Sequence, residues 1–482
     1  MSPTRDEKQQ IDDGKNAGSW RELREYAGAA IVLAGGVLVG AVNIYVAASL
    51  LPSAVADIGG ERLYAWNMTA FLVAQVVATM LVGWLLSRRG AVGAYLAGFG
   101  VFAAGSVVCA ASPTMVVLLA GRGLQGFGAG LLIGLGFAVI QAALPQRLWA
   151  RGSALISAMY GVGNFAGPAL GGFFAQFSSW RIAFVVLAIV AIGIAVIVPR
   201  VLPNTAAGAT DPIPLRSLLV VLAAITTVAV AGILTNRVAM AVLIGAAVVL
   251  VVVFLAAERR AAIRVLPLPT YRPGSPLRWV YLTIACLAAG TSVEIFLPLF
   301  VQRMGGLPPV AAGFFGAALS LGWAGSQILS SSAQRQRTIR MLQVGGPVLL
   351  GAGLLVLALV QRQQAPTLLM VAGWLPLLLF AGAGIGIAMP HLSVAAMTSG
   401  TDADEGRKAA AAIATVLTMS TAFGAAIAGL LVNLGAPELI DSARWLLLGF
   451  AAIAAAGAIT ALRIAAAHRS AGHVAEEKTP AV

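Results

Sequence analysis

Charge is what this chain has least of. Asp, Glu, Lys and Arg make up 10% of its 482 residues, whereas a soluble globular chain carries roughly 25%. That shortage excludes an ordinary soluble domain. Cysteine is equally scarce: Cys109 and Cys286 are the two present, on different apolar runs, which excludes a disulfide framework and points to packing rather than redox or metal chemistry. Of three histidines (His391, His468, His473), two lie close to the C-terminal end. No H-E-x-x-H, G-x-S-x-G or G-x-x-x-x-G-K-[ST] occurs, so a membrane enzyme lacks its catalytic groups and direct ATP drive lacks its phosphate loop. "GRGLQG" at 121–126 has nucleotide-loop spacing, but it sits inside an apolar run with no preceding strand. No cofactor and no metal are expected.

What is abundant is apolar length. Hydrophobic residues reach 59%, and runs of about 20 recur along the chain, the length needed to cross a bilayer as helix. The fold class is therefore an all-α integral membrane protein, with fourteen expected spans at 27–51, 64–86, 91–111, 114–141, 152–176, 182–202, 216–234, 238–257, 277–301, 309–330, 340–360, 367–391, 408–433 and 444–464. The polar stretch before residue 27 is long and mixed in charge, so the first run reads as a retained helix rather than a signal peptide. An even number of spans puts both termini on one side. With the termini inside, the inner segments hold 24 basic residues and the outer loops 6, Arg122 being the remaining one of 31. This is the positive-inside bias of a plasma membrane protein with cytoplasmic termini. It accounts for the net charge of +13 without a nucleic-acid partner.

The longest inner connection, "ERRAAIRVLPLPTYRPGSP" at 258–276, is basic and Pro-rich and reads as a linker between halves. The expected organisation is a cytoplasmic tail (1–26), a six-helix bundle (27–202), two extra helices with the linker (203–276), a second six-helix bundle (277–464) and a cytoplasmic tail (465–482). Two such halves suggest a transporter built from repeats.

Three stretches carry more than hydrophobicity. In "GVGNFAGPALGG", Gly163, Gly167 and Gly171 recur every four residues, which puts a small stripe on one helix face and lets another helix approach closely. Pro168 removes a backbone donor and is expected to bend that helix. Ordinary close packing explains the glycines alone. In "RGLQGFGAG" (122–130), Arg122 is the one basic residue well inside a span; it needs a partner or a wet cavity, unless it is a packing or snorkelling arginine. "GWLLSRRG" (83–90) occupies the expected loop after the second span.

The first stretch, through Gly163, Gly167, Pro168, Gly171 and Gly172, resembles the fifth-helix antiporter motif of major facilitator superfamily exporters, where it implies a gating helix between the halves. Arg122, Gln125, Gly126, Gly128 and Ala129 are similar to that family's fourth-helix motif, which implies a proton-coupling role for Arg122. Gly83, Arg88 and Gly90 match the loop motif, but Ser87 replaces its aspartate and Ala91 and Val92 its basic pair. In "VNIYVAASLLP" (42–52), Asn43 and Tyr45 stand where the 14-spanner drug–proton antiporters carry aspartate and threonine. "SSWRIAF" (178–184), 296–313 and 381–390 also resemble these exporters. The implied fold is two six-helix bundles plus two intervening helices.

Eighteen residues are acidic, and Glu294, in "LAAGTSVEIFLPLF", is alone well within a span. Burial disfavours the charged form of a carboxylate. A group poised there could take a proton on one side and release it on the other, with a cationic substrate competing for it. The plain alternative is a structural carboxylate, permanently protonated or paired with Arg122. Asn43, Tyr45, Gln125, Asn164, Phe296, Trp323, Gln327 and Trp374 are candidates for a substrate cavity, each alone equally consistent with packing. Asn67 and Gln75 are further polar residues within spans. His391 reads as a solvated boundary residue, and Asp57 and Glu258 as loop acids. The expected activity is secondary active export of hydrophobic or amphipathic small molecules coupled to protons, by a chain acting as a monomer in the lipid bilayer. A dedicated exporter of a single metabolite, peptide, siderophore or natural product is the alternative, without proton coupling if need be; a non-transporting membrane sensor is a third reading.

Overall fold

The computed structural model describes residues 20–145, 148–203, 215–261, 266–272, 275–330, 333, 335–361, 368–397 and 403–476. Most of the N-terminal tail, the end of the C-terminal tail, Arg147, Asp211 and part of the linker lie outside them. The principal elements are helices. After short turns at Trp20–Leu23 and Arg24–Tyr26 come α1 (Ala27–Ile58), the tract Trp66–Ala110, α4 (Met115–Ala138), α5 (Trp149–Phe177), α6 (Trp180–Val201), α7 (Leu215–Ala231) and α8 (Arg237–Arg260). They are followed by α9 (Leu277–Gly290), α10 (Leu297–Arg303), α11 (Pro309–Ser330), α12 (Gln336–Val360), α13 (Leu368–Met397), α14 (Ala403–Gly435) and α15 (Leu439–Glu476).

Gly90 divides the tract Trp66–Ala110 into α2 (66–89) and α3 (91–110), with φ 64° and ψ −179°. That conformation is open to glycine and closed to side-chain-bearing residues. The expected loop at 83–90 thus shrinks to one residue, because Gly83 and Arg88 continue the helix, with Arg88 lying 4.9 Å from the Trp84 ring centroid. Ten helices among the described residues are long and apolar enough to cross a membrane, and α7 is a shorter apolar one.

The helices α1 to α6 pack on one another as a first bundle and α9 to α15 as a second; α7 and α8 pair with each other. The bundles meet through α5 and α1 against α11, and through α2 against α14. We call the face where α1 begins the termini face and the opposite one the far face.

Several expected limits need correction. The first span runs past Pro52 to Ile58, because a proline leaves the preceding backbone free to continue when neighbouring helices support it. Asp57 is therefore on the last turn of α1, not in a loop. There it binds the Arg181 guanidinium and the Trp180 indole N–H, while Arg181 also donates to the Ser112 carbonyl at 3.1 Å. This gives "SSWRIAF" a structural meaning: it fastens α6 to α1 and to the α3–α4 turn. Glu258 is likewise helical and fully buried. It accepts hydrogen bonds from Ser217 Oγ, from the Leu266 N–H at 3.3 Å and from Tyr271 Oη at 3.2 Å. The linker is therefore held on α7 and α8. His391 is buried rather than solvated: its Nε2 lies 3.1 Å from the Ser330 carbonyl, and its own carbonyl accepts from Gln343. The last helix continues beyond residue 464 to Glu476.

Candidate functional site

The expected continuous span 277–301 is interrupted, and the interruption holds Glu294. After α9 the backbone tightens into a 3-10 turn, Thr291–Ile295, before α10 resumes with Pro298 in its first turn. Pro298 contributes to it: proline has no N–H, and in a continuous α-helix residue 298 would donate to the carbonyl of residue 294. The turn points the Glu294 side chain at α11, which approaches closely because Gly316 faces Pro298; a methyl there would lie 2.8 Å from the ring.

Glu294 is 9% exposed, and one residue meets both of its oxygens. The Ser320 N–H donates to Oε1 at 2.7 Å and the Ser320 hydroxyl to Oε2 at 2.9 Å. Tyr45, on α1 of the other bundle, donates its phenol to Ser320 Oγ at 3.0 Å. Tyr45, Ser320 and Glu294 thus form one hydrogen-bonded chain across the interface between bundles. Sequence reading singled out Tyr45 and Glu294 but missed Ser320, whose only signal there was a hydroxyl midway along an apolar run that also holds Ser326 and Ser330.

Arg122 is elsewhere. It is completely buried within the first bundle. Its Nη1 donates to Gln125 Oε1 at 2.8 Å, its Nε to the Asn67 carbonyl at 3.3 Å, and its guanidinium lies 4.4 Å from the Phe71 ring centroid. Gln125 in turn donates to Ser106 at 2.8 Å. These partners are neutral and belong to α2, α3 and α4, so Arg122 and Glu294 keep separate partners in separate bundles. Asn43, fully buried, has neither side-chain atom hydrogen-bonded, and the buried oxygens of Asn67 and Gln75 and the Nη2 of Arg122 are also unmatched.

The remaining candidates divide by depth. Phe296 stacks on Tyr64 with centroids 4.9 Å apart, and Arg303 pairs with Glu61 at 2.6 Å; both contacts join the bundles near the far face. Trp374 is buried with its indole N–H unmatched. Trp323 donates to Gln327 at 2.8 Å on the half of α11 nearer the termini face. Asn164 is half-buried on α5, next to Phe165, which meets Phe314 at 5.6 Å.

The glycine stripe does what its spacing implies. A methyl at Gly163 would lie 2.7 Å from Ala41 Cβ, at Gly167 2.5 Å from Tyr45 Cβ, and at Gly171 2.6 Å from the Val46 carbonyl. Gly172 faces Val310 of α11, and the Pro168 carbonyl lies 3.1 Å from where a Gly313 methyl would be. The motif therefore sets α5 against α1 and brings its far end onto α11. Residues of α11 from Ala312 to Ser320 are largely buried, whereas Ile328 and Leu329, beyond them, are 75% and 78% exposed. The bundles are closed together towards the far face, and α11 emerges from the contact towards the termini face.

Two further polar contacts complete the far face. The carbonyls of Ala229, in the last turn of α7, and of Gly232, just past its end, take donors from the two bundles: the Trp66 indole donates to the Ala229 carbonyl at 3.2 Å and the Asn433 amide to the Gly232 carbonyl.

The Major Facilitator Superfamily profile matches residues 33–406. The chain is 45% identical over 467 residues to a protein of Mycobacterium tuberculosis named a probable multidrug-efflux transporter, covering 95% of this chain and 98% of that one. It is 27% identical over 280 residues to a multidrug efflux pump of Staphylococcus aureus, covering 57% and 62%. Among solved structures, an inward-facing bacterial homologue of the human lysosomal transporter Spinster aligns with TM-score 0.66 at 14% identity, covering 94% of this chain and 98% of that one. A peptide transporter of the POT type bound to sulfate aligns with TM-score 0.66 at 14% identity, covering 92% and 95%. At such identity these structures speak to the fold alone. Helix order, bundle packing and the sequence match agree, and the chain belongs to the Major Facilitator Superfamily.

Proposed function

We propose that the chain is a secondary active exporter of hydrophobic or amphipathic small molecules, of the multidrug-efflux type, exchanging substrate for protons by alternating access. The observation that carries the coupling is Glu294, among the described residues the one carboxylate at this depth, held by Ser320 where the bundles meet. The 45% identity to a probable multidrug-efflux transporter supports the substrate class. In this reading the chain crosses the cytoplasmic membrane fourteen times, Gly90 dividing its longest apolar tract, with both termini inside as its basic residues favour. Residues 27–202 and 277–464 are the moving halves, and 203–276 joins them. The far face is then extracellular, and the halves are in contact on that side. Asn43, buried without a hydrogen-bond partner among the described residues where the antiporters carry aspartate, favours a second reading: a dedicated exporter of a single metabolite, peptide, siderophore or natural product, working without proton coupling.

Reconstitution in liposomes under an imposed pH gradient, with a lipophilic cationic dye as substrate, tests the first reading. Wild type drives the dye against its gradient, and Glu294→Gln abolishes the dependence on the pH gradient. Coupling that survives in Glu294→Gln removes Glu294 from the mechanism.

A further inference from the structure

We propose that Ser320 is a positioning residue for the coupling carboxylate, and that through it Tyr45, on the opposite half, sets how readily Glu294 exchanges its proton. This rests on the reading of Glu294 as the coupling site.

The argument starts from donor and acceptor inventory. An ionised carboxylate only accepts hydrogen bonds, and both oxygens of Glu294 accept from Ser320. The serine hydroxyl has a single proton, which points to Glu294; its lone pairs are left for Tyr45, whose phenol donates to them. The chain therefore has one polarity while Glu294 is ionised. A proton arriving on Oε2 makes that oxygen a donor. The Ser320 hydroxyl must then rotate to accept, its own proton turns away from Glu294, and the group facing Tyr45 changes. Hydrogen bonds in such a chain polarise one another, so the state of one end is felt at the other.

The chain also spans the surface that alternating access must open. Tyr45 and Ser49 are one turn apart on α1, with Ser49 Oγ donating to the Tyr45 carbonyl at 2.8 Å. On α11, Gly313 faces Ser49 and Gly316 faces Pro298, and Ser320 follows on the same side of that helix. Separating α1 from α11 takes Tyr45 from Ser320 but leaves Ser320 with Glu294, because those two share a half. By linkage, whatever Tyr45 contributes to proton affinity, the proton contributes equally to closure.

Among the described residues, no charged side chain competes at this depth. α11 has none in its sequence, and those of α14 fall at 404–408, near its start. α15 carries Asp441 and Arg444 at its far-face end and Arg463 and later residues towards the termini face. Arg278 of α9 and Arg303 of α10 are about 24 and 13 Å away along the helix axis. The other titratable groups are Tyr45 on α1, Tyr64, which stacks on Phe296, and, about 12 and 20 Å along α9, Cys286 and Tyr281.

The experiment measures dye transport by proteoliposomes across a pH series for wild type, Ser320→Ala, Tyr45→Phe, the double variant, Ser320→Thr and Glu294→Gln. Ser320→Ala is expected to displace the pH midpoint by about tenfold in proton concentration, the order of one hydrogen bond to a charged group. Tyr45→Phe, which keeps the Cβ that faces Gly167 and removes only the hydroxyl, displaces it less, in the same direction. The double variant goes no further than Ser320→Ala, and Ser320→Thr restores the wild-type midpoint. If Ser320→Ala does not fold, Tyr45→Phe and Ser320→Thr still decide. Wild-type midpoints in both single variants, with coupling lost in Glu294→Gln, overturn the inference and leave Glu294 in place. Additive effects overturn transmission through Ser320. Coupling retained in Glu294→Gln overturns the underlying reading first.

Discussion

Two glycines of recognisable motifs answer to opposite physics, and alanine substitution separates them. A methyl at Gly167 would sit 2.5 Å from Tyr45 Cβ and 2.9 Å from the Val42 carbonyl, whereas carbon atoms in contact prefer about 3.5–4.0 Å. Relief requires α5 and α1 to part by about 1 Å over a surface that is packed along three turns, an overpacking cost of roughly 1–3 kcal/mol. Gly83 has nothing within 4 Å of the position a methyl would take, and it is helical. Alanine there gains about 0.5–1 kcal/mol of helix propensity. Unfolding by SDS titration in mixed micelles should therefore move in opposite directions for the two variants. Dye transport should fall several-fold in Gly167→Ala and stay near wild type in Gly83→Ala. Equal tolerance of the two substitutions would refute the claim that the stripe sets the distance between α5 and α1.

Other perturbations follow from the same geometry. Gly90→Ala forces a side chain into a glycine-only backbone region and should lower stability by about 1–3 kcal/mol in the same titration. Glu258→Ala removes the shared acceptor of Ser217, Tyr271 and the Leu266 N–H; the expected loss is about 3 kcal/mol, together with faster protease cleavage of the variant than of wild type. Trp66→Phe and Asn433→Ala each leave one terminal carbonyl of α7 without its donor. Each should raise far-face accessibility of a cysteine placed at residue 62, by about fivefold for one hydrogen bond.

Most of the fold was legible because hydrocarbon leaves the chain few options: apolar runs of membrane length become helices, and a four-residue glycine spacing becomes a close contact. The motif stretch around Gly167 and the arginine turn at Arg181 packed as their residue types require. What stayed hidden depends on helix rotation and long-range proximity. Ser320 looks like any small polar residue until α11 brings it to Glu294. Arg122 and Glu294 are both ionisable side chains at membrane depth, and their sequence positions say nothing of the separate partners that hold them. Asp57 and Glu258 read as loop acids because Pro52 and a dense run of charge look like helix ends, while tertiary packing carried both helices further. His391 sits near a polar segment in sequence but is enclosed by Ser330 and Gln343 in space.

The 3-10 turn that holds Glu294 also changes the mechanics of its span. A continuous helix is a lever: tilting one end tilts the other. Here α9 rests on α14 and α15, while α10, seven residues long, rests on α11 and α1. A rod jointed at 291–295 need not move as one. Opening the far face can swing a segment of about 10 Å while α9 stays seated, because a hinge of a few residues absorbs the change in backbone angle. Glu294 stands at the pivot, where displacement is least, so the carboxylate can keep its place in the protein while the wall above it moves.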